Sequence, residues 1–342
     1  MKKNIKICTI FGTRPEIIKL SPLLPKLNEH FKHTSIYTGQ HFSRKMSDIF
    51  FADLSVDRPD IDCSLKTSNL DILAITLLHK LEELNPDIVL VYGDTASSLA
   101  GAKVAKKLGA YLVHIEAGLR CFEPIKEEIY RIEIDRLSDL LLCPTNLNKY
   151  FLCGLGEKIE GRIEVIGSLI VDAYKIFSPK FIKPSFDGFI LFTLHREENV
   201  DTETLFSIMA QIYTLNETIV FPIHPRTQQK LLIKLPENIK VIDPVGYFEL
   251  GGLLKQATLV LTDSGGIQEE ALMAKTPCIT VRKTTERQET VYLGANTIFS
   301  PNYGCNLSIL IKEIMEKGFP EIENPYGDGN TASKIIEILG EI

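Results

Sequence analysis

The residues best equipped for chemistry lie between Val260 and Glu289, in the run VLTDSGGIQEEALMAKTPCITVRKTTERQE. It reads as a strand ending at Leu261, a tight turn, a helix opening at Ser264-Gly265-Gly266, and a second strand from Pro277 to Val281. Small residues at a helix start let backbone N–H groups approach an anion closely, and the helix dipole favours negative charge there. Thr262, Asp263 and Ser264 are all N-cap types, so the turn alone is equally well explained as an ordinary capped helix start. The basic, hydroxyl-rich turn after the second strand, with Arg282, Thr284, Thr285 and Arg287, shifts the balance. In a parallel sheet both loops leave the C-terminal strand edge, where ligands bind. The chemistry expected there is capture of a phosphate-bearing ligand.

Other polar residues fall at matching places. His195 and His224 each end an apolar run and have an arginine within two residues, Arg196 and Arg226. Two such pairs at equivalent edges favour anion contact over a purely structural role. Asp94, in Gly93-Asp94-Thr95, follows an apolar strand and either caps the next helix or acts chemically. Glu116 directly ends another apolar strand, where no capping duty is evident, so a functional carboxylate is the better reading. Arg14 and Lys19 lie on the first helix about a turn apart, and Lys19 taken alone also fits a solvent-exposed lysine.

The elements that must hold these residues follow a strand–loop–helix grammar. Apolar runs from Ile5, Thr34, Ile88, Tyr111, Leu140 and Ile163 read as strands of a first half. Those from Gly188, Thr218, Val241, Thr258 and Thr297 read as strands of a second. A helix starting at Pro15 is expected to bury Ile17, Ile18, Leu20, Leu23, Leu24 and Leu27. Helices are also expected from Leu70 to Leu84, after Thr95, from Glu127, and over the amphipathic last segment, which can fold back on the first half. The stretch from Lys45 to Phe51 reads as helical, and Leu54 to Asn69 as a polar loop long enough to carry function. This alternation implies an α/β fold of parallel, doubly wound sheets, with the polar clusters at strand C-termini. The Pro- and Lys-bearing segment around Ser178 to Ser185 is the expected linker. The first domain is then 1–168 plus 325–342, and the second 169–324.

Bulk properties narrow the function classes. A chain of 342 residues is long for one core. The net charge of −6 argues against a generic nucleic-acid binder, whereas a small anion needs only a local basic cluster. The seven cysteines are scattered without a C-x-x-C pair, which points to a reducing, cytoplasmic setting with neither a metal site nor a disulfide framework. The N-terminal apolar run is too short for a signal peptide, and no segment reaches the roughly 20 apolar residues of a membrane span. Neither half has G-x-G-x-x-G after a strand or G-x-x-x-x-G-K-[ST], so no nicotinamide, flavin or other cofactor is expected, nor ATP hydrolysis.

Six motifs in order carry a resemblance over almost the whole chain. They are Gly12-Thr13-Arg14-Pro15-Glu16-Ile17-Ile18-Lys19, Tyr92-Gly93-Asp94-Thr95, Glu116-Ala117-Gly118-Leu119-Arg120, His195-Arg196-Glu197-Glu198-Asn199, Asp263-Ser264-Gly265-Gly266-Ile267-Gln268-Glu269-Glu270 and Thr284-Thr285-Glu286-Arg287. Together they resemble the UDP-N-acetylglucosamine 2-epimerase family, in its non-hydrolysing branch. The resemblance implies two Rossmann-like domains facing a central cleft, a GT-B-like fold, usually as a homodimer. It implies an isomerase that inverts C2 of a UDP-linked N-acetylhexosamine by eliminating UDP to a glycal and re-adding it, for surface polysaccharide. Asp94, Glu116, Glu127 and His195 match the family's catalytic positions. Arg14, Lys19, Gln40, Arg131, His224, Arg226, Ser264, Gly265, Gly266, Glu270, Arg282 and Arg287 match positions expected to hold the UDP-sugar, with Glu270 on the ribose hydroxyls. Hydrolysis to free sugar and UDP, a 2-epimerase of another UDP-acetamido sugar, a two-domain glycosyltransferase and a silent nucleotide-sugar sensor are the competing readings. The chain departs from the family in Lys126-Glu127-Glu128-Ile129-Tyr130-Arg131, where Pro-Glu-Glu-x-Asn-Arg is usual, and in Gln40-His41-Phe42-Ser43. Residues for activation by a second UDP-sugar are not evident there.

Overall fold

In a computed structural model, the residues described are 4–40, 51, 54, 56–196, 199–223, 225–231, 235–301 and 304–342. They divide into a first unit, Met1–Ile176 with Pro325–Ile342, and a second, Phe177–Asn324.

The first unit is built on a sheet that has seven strands among the described residues. These are β1 (Lys6–Phe11), β2 (Lys32–Tyr37), β3 (Ile61–Asp62), β4 (Ile88–Tyr92), β5 (Tyr111–Ile115), β6 (Leu140–Cys143) and β7 (Arg162–Val165). Their order is β3-β2-β1-β4-β5-β6-β7, and every pairing is parallel. The order reverses between β1 and β4, which opens a crevice at the strand C-termini in such folds. The run Ile-Val-Leu-Val-Tyr of β4 is buried throughout, as a strand covered on both faces requires. Leu73, Leu77 and Leu81 of helix Leu70–Leu84, spaced one turn apart, join the same core cluster as Val89 and Val91 of that strand. The small residues of helix Ala96–Leu108 let that helix lie close against the sheet and its neighbour.

Two sequence expectations change here. The apolar series from Ile17 to Leu27 forms two short helices, Arg14–Leu20 and Leu24–His30, instead of one. Pro22 cannot donate the backbone bond a continuous helix needs, whereas Pro25 fits the first turn of the second helix. The chain also parts after Ile176 rather than at residue 168. Asp172, on helix Leu169–Phe177, accepts hydrogen bonds from the N–H groups of Thr331 at 3.2 Å and Ala332 at 2.9 Å. It thereby caps the returning helix Thr331–Glu341, so both helices belong with the first unit. Most of the helix expected from Lys45 to Phe51 lies outside the described residues.

The second unit repeats the plan with β8 (Phe189–Thr193), β9 (Thr218–Pro222), β10 (Ile239–Ile242), β11 (Leu259–Thr262), β12 (Cys278–Val281) and β13 (Asn296–Phe299). The order is β10-β9-β8-β11-β12-β13, again parallel, with its reversal between β8 and β11. Helix Tyr247–Gln256 was hidden in the sequence by Gly251-Gly252, which weakens any helical pattern. Those glycines answer a packing need: a Cβ at Gly252 would fall on the Ile182 carbonyl, and one at Gly251 on the Phe181 ring. No described helix is long and apolar enough to cross a membrane.

Candidate active site

On the first unit, the polar residues collect at the C-terminal ends of β1, β4 and β5, beside the reversal in strand order. Thr95 is the N-cap of helix Ala96–Leu108, its hydroxyl accepting from the Ser98 N–H at 3.1 Å. Asp94 therefore does not serve as the cap. Its carboxylate instead meets the Arg131 guanidinium through Nε at 3.1 Å and through a shorter Nη2 bond. Arg131 Nη1 donates to Glu128 at 2.9 Å, and Glu128 accepts in turn from the N–H groups of Cys121 at 3.0 Å and Phe122 at 3.0 Å. Glu128 thus ties the loop after β5 to helix Lys126–Leu137. Sequence reasoning passed over it for Glu127, which is exposed on the first turn of that helix. The i, i+3 spacing of Glu128 and Arg131 was the available signal.

Glu116 has φ +71°, a left-handed conformation that costs a non-glycine residue about 1–2 kcal/mol. Strain of this kind is held in place by its surroundings and clusters at functional sites. The side chain is buried and accepts from Lys19 Nζ at 2.8 Å. Lys19 is itself buried, with its ammonium 5.6 Å from the centre of the Tyr92 ring, so the solvent-exposed reading of this lysine is wrong. The Glu116 carboxylate also lies close to Gly93: a Cβ built there would be 3.5 Å from Oε2. The two carboxylates singled out from the sequence, Asp94 and Glu116, therefore stand at neighbouring strand ends.

Glu16 joins these loops from beneath and went unremarked in the sequence. It accepts from the N–H groups of Gly12 at 3.0 Å and Thr13 at 2.7 Å, and from the hydroxyls of Thr95 at 3.2 Å and Ser98 at 3.3 Å. Burial pushes its pKa from 4.5 up to about 7, against the opposing pull of the Thr13, Gly12 and Thr95 hydrogen bonds. The folded protein thus holds this proton more tightly than the unfolded chain does. The associated stability is complete below about pH 4.5 and is lost as pH rises through about 7. Denaturation midpoints at acid and neutral pH should reveal it: across that window wild type should lose about 3 kcal/mol more than Glu16→Gln.

Arg14 is half-buried at the start of helix Arg14–Leu20, where burial lowers its pKa. Gln40 is buried, with Oε1 accepting from Ser97 Oγ at 3.0 Å.

On the second unit, Ser264 is the N-cap of helix Gly265–Ala274 yet makes no side-chain cap bond. Asp263, the other expected cap, is fully buried and does something else. It accepts from the N–H groups of His195 at 3.0 Å and Arg196 at 2.8 Å and from Asn199 Nδ2 at 3.2 Å. His195 Nδ1 faces the same carboxylate at 3.1 Å, while its side chain stays 42% exposed. Asp263 therefore fixes the loop after β8 to the end of β11 and orients the imidazole outward. His224 lies outside the described residues, and Arg226 is described only by its backbone, in helix Pro225–Lys230.

The basic cluster differs from its sequence reading. Arg282 pairs with Glu286 at 2.9 Å and Arg287 with Glu269 at 3.2 Å, all of them buried or nearly so. These arginines carry carboxylate partners rather than a bare positive field. A Cβ at Gly265 would fall 2.1 Å from Glu286 Oε1 and push that carboxylate aside, whereas one at Gly266 meets nothing within 4 Å. The backbone at Gly266 is thus open to a close-approaching group, and Glu270 lies buried about one turn further on. Gln268 was missed: it accepts from Thr285 Oγ1 at 2.7 Å and Asn296 Nδ2 at 3.0 Å and donates to the Ser264 carbonyl at 3.2 Å. It braces the 284–287 turn against the helix start. Among the described residues no group of three or more His, Cys, Asp or Glu is placed to hold a metal ion.

Comparison with known proteins bears on this arrangement. Residues 25–340 match the family model described as UDP-N-acetylglucosamine 2-epimerase. The UDP-N-acetylglucosamine 2-epimerase of Methanocaldococcus jannaschii is 40% identical over 366 residues, covering 98% of this chain and 99% of the relative. The UDP-2,3-diacetamido-2,3-dideoxy-D-glucuronate 2-epimerase of Pseudomonas aeruginosa is 38% identical over 362 residues, covering 99% of this chain and 100% of the relative. The crystal structure of the M. jannaschii UDP-GlcNAc 2-epimerase in complex with UDP-GlcNAc and UDP superposes with a TM-score of 0.90 at 38% identity, over 99% of this chain and 100% of that one. The two doubly wound domains are those of a GT-B-like fold, and with motif order, fold and family match in agreement, this chain belongs to the UDP-N-acetylglucosamine 2-epimerase family, whose members are isomerases.

Proposed function

We propose that the protein interconverts UDP-N-acetylglucosamine and UDP-N-acetylmannosamine without net release of UDP. The observation that carries this reading is the pair of carboxylates at adjacent strand ends, with Glu116 held in a strained backbone against Lys19. In the reaction a base removes the C2 proton as the C1–O bond to UDP breaks, leaving a 2-acetamidoglycal. UDP then returns to C1 while a proton is delivered to the opposite face of C2. Removal and return on two faces need more than one positioned acid/base group, and we assign these to Asp94 and Glu116, with Glu127 and His195 as further members. No carbonyl acidifies the C2 proton, so stabilising the departing diphosphate must lower most of the barrier. Arg14, the Ser264–Gly266 helix start, His195 and the guanidinium groups of Arg282 and Arg287 are donors suited to that task. Glu270 accepts from ribose hydroxyls in this scheme. Lys19, Gln40, Arg131, His224 and Arg226 complete the substrate-binding set, and a cytoplasmic homodimer serving surface-polysaccharide assembly is the setting we favour.

Incubation with UDP-GlcNAc in deuterated water tests the reading. Deuterium at C2 and a manno product without accumulation of free UDP are expected. Accumulating UDP would point to the hydrolysing reaction, and silence at C2 would overturn the proposal. A second substrate is favoured by one observation: the P. aeruginosa relative, named for a diacetamido glucuronate, is nearly as similar as the M. jannaschii one. Parallel incubation with that sugar nucleotide separates the two. Ser264→Ala should weaken UDP binding about tenfold by calorimetry, the worth of one hydrogen bond to a charged group. Its kcat should change little.

A further inference from the structure

His114 lies in β5, two residues before Glu116, and is fully buried. Its Nδ1 is 2.7 Å from Asp135 Oδ1 and its Nε2 is 2.9 Å from the Gly93 carbonyl oxygen. A carbonyl has no proton to give, and neither does an ionised carboxylate. Burial disfavours that ionised form, yet His114 and Arg120 together hold the Asp135 carboxyl below its ordinary range. A neutral imidazole has one N–H and can satisfy only one of these two acceptors, whereas the protonated ring satisfies both.

The charges around the ring lead to the same conclusion. Asp135, from helix Lys126–Leu137, is fully buried and pairs with Arg120 at 2.8 Å. Arg120 Nε donates to Glu157 at 2.9 Å. Cys143, on β6, is a further titratable group near Asp135 and Arg120, and burial pushes its thiol pKa well up, so it brings no charge; Cys153 and the Lys149 ammonium act on that thiol from the next helix. Asp135 and Glu157 supply two negative charges against one on Arg120. Of the two carboxylates Asp135 is fully buried and Glu157 only partly so, and a charged ring sets a second cation beside Asp135.

We propose that His114 is a buried imidazolium, held by Asp135, that positions the turn carrying Asp94. The Gly93 carbonyl it binds belongs to a left-handed glycine, φ +61°, whose N–H is already fixed to the Ile115 carbonyl at 2.9 Å. Asp135 also accepts from the Gly118 N–H at 3.3 Å, in the loop that follows Glu116. One carboxylate thus anchors both strand-end loops. His114 is a positioning residue rather than a catalytic one, and the inference rests on Asp94 and Glu116 being the acid/base groups.

Long-range 1H–15N correlation of the histidine rings, with His114 assigned through its backbone, tests the charge directly. Both ring nitrogens should be protonated at pH 7. A neutral-tautomer pattern at pH 7 would overturn the proposal. Asp135→Asn should lower kcat about 100-fold with KM within twofold, the cost of a small misplacement of reacting groups, and Asp135→Glu should recover part of it. Wild-type kcat in Asp135→Asn would also overturn it. Should that variant fail to fold, the ring measurement on wild type still decides the matter. Wild-type turnover in Asp94→Asn would instead remove the acid/base assignment while leaving the charge of His114 measurable.

Discussion

Glu116→Gln is expected to lower turnover of UDP-GlcNAc by about 10²–10⁴-fold while UDP still binds within about twofold of wild type. The amide has nearly the shape of the carboxylate, and its oxygen can still accept from Lys19 Nζ, now 2.8 Å from Oε1. The variant therefore keeps the buried contact that holds Lys19. What it loses is the capacity to take and return a proton. UDP affinity should persist because most of the groups assigned to the diphosphate, Ser264 to Gly266, His195, Arg282 and Arg287, belong to the other unit, and the substitution leaves Arg14 in place. Initial rates beside UDP calorimetry give both values. Near-wild-type turnover would remove Glu116 from proton transfer and make its strained backbone a purely structural feature. Loss of UDP binding would contradict the division of labour between the units.

Arg131→Met should have the largest effect on stability, about 3–5 kcal/mol, because it strands two carboxylates at once. Arg131 is 5% exposed and bridges Glu128, 8% exposed, and Asp94, 29% exposed. Removing the guanidinium leaves Glu128 buried with its backbone donors but without a counter-charge. It also frees Asp94 from the fork that orients it, so turnover should fall together with stability. Arg131→Lys keeps the charge but not the planar two-pronged geometry and should restore only part of either. Thermal unfolding that shifts by less than about 2 °C in Arg131→Met would mean that water solvates both carboxylates and that the bridge contributes little.

Strand positions were legible because buried parallel strands are continuous apolar runs, and β4 and β5 coincide with the runs expected from Ile88 and Tyr111. The ligand-bearing edge followed from the same pattern, since each polar cluster comes directly after a strand. Helix ends were less legible. Pro22 divided an apolar series that looked continuous, and Gly251-Gly252 masked a helix whose closeness to Ile182 and Phe181 demands them.

The candidate site shows the same boundary more sharply. Residue types and local spacing singled out Asp94, Glu116, His195 and the Ser264 turn as candidates, because each follows its own strand. They could not assign duties among neighbours. Asp263 and Ser264 were equally good caps by type, and only the approach of the His195–Asn199 loop turned Asp263 into the buried anchor of that loop. Arg282 and Arg287 read as a basic, hydroxyl-rich turn for a phosphate-bearing ligand, and the structure pairs them with Glu286, four residues after Arg282, and with Glu269 of the preceding helix. Lys19 resembled a surface lysine until a glutamate 97 residues away met it in the interior. A one-dimensional pattern records burial and local backbone preference, because these depend on the chain's immediate neighbours. Ion pairs between residues far apart in the chain, such as Lys19 with Glu116 and Arg131 with Asp94, depend on contacts between distant segments and are decided only when the strands assemble.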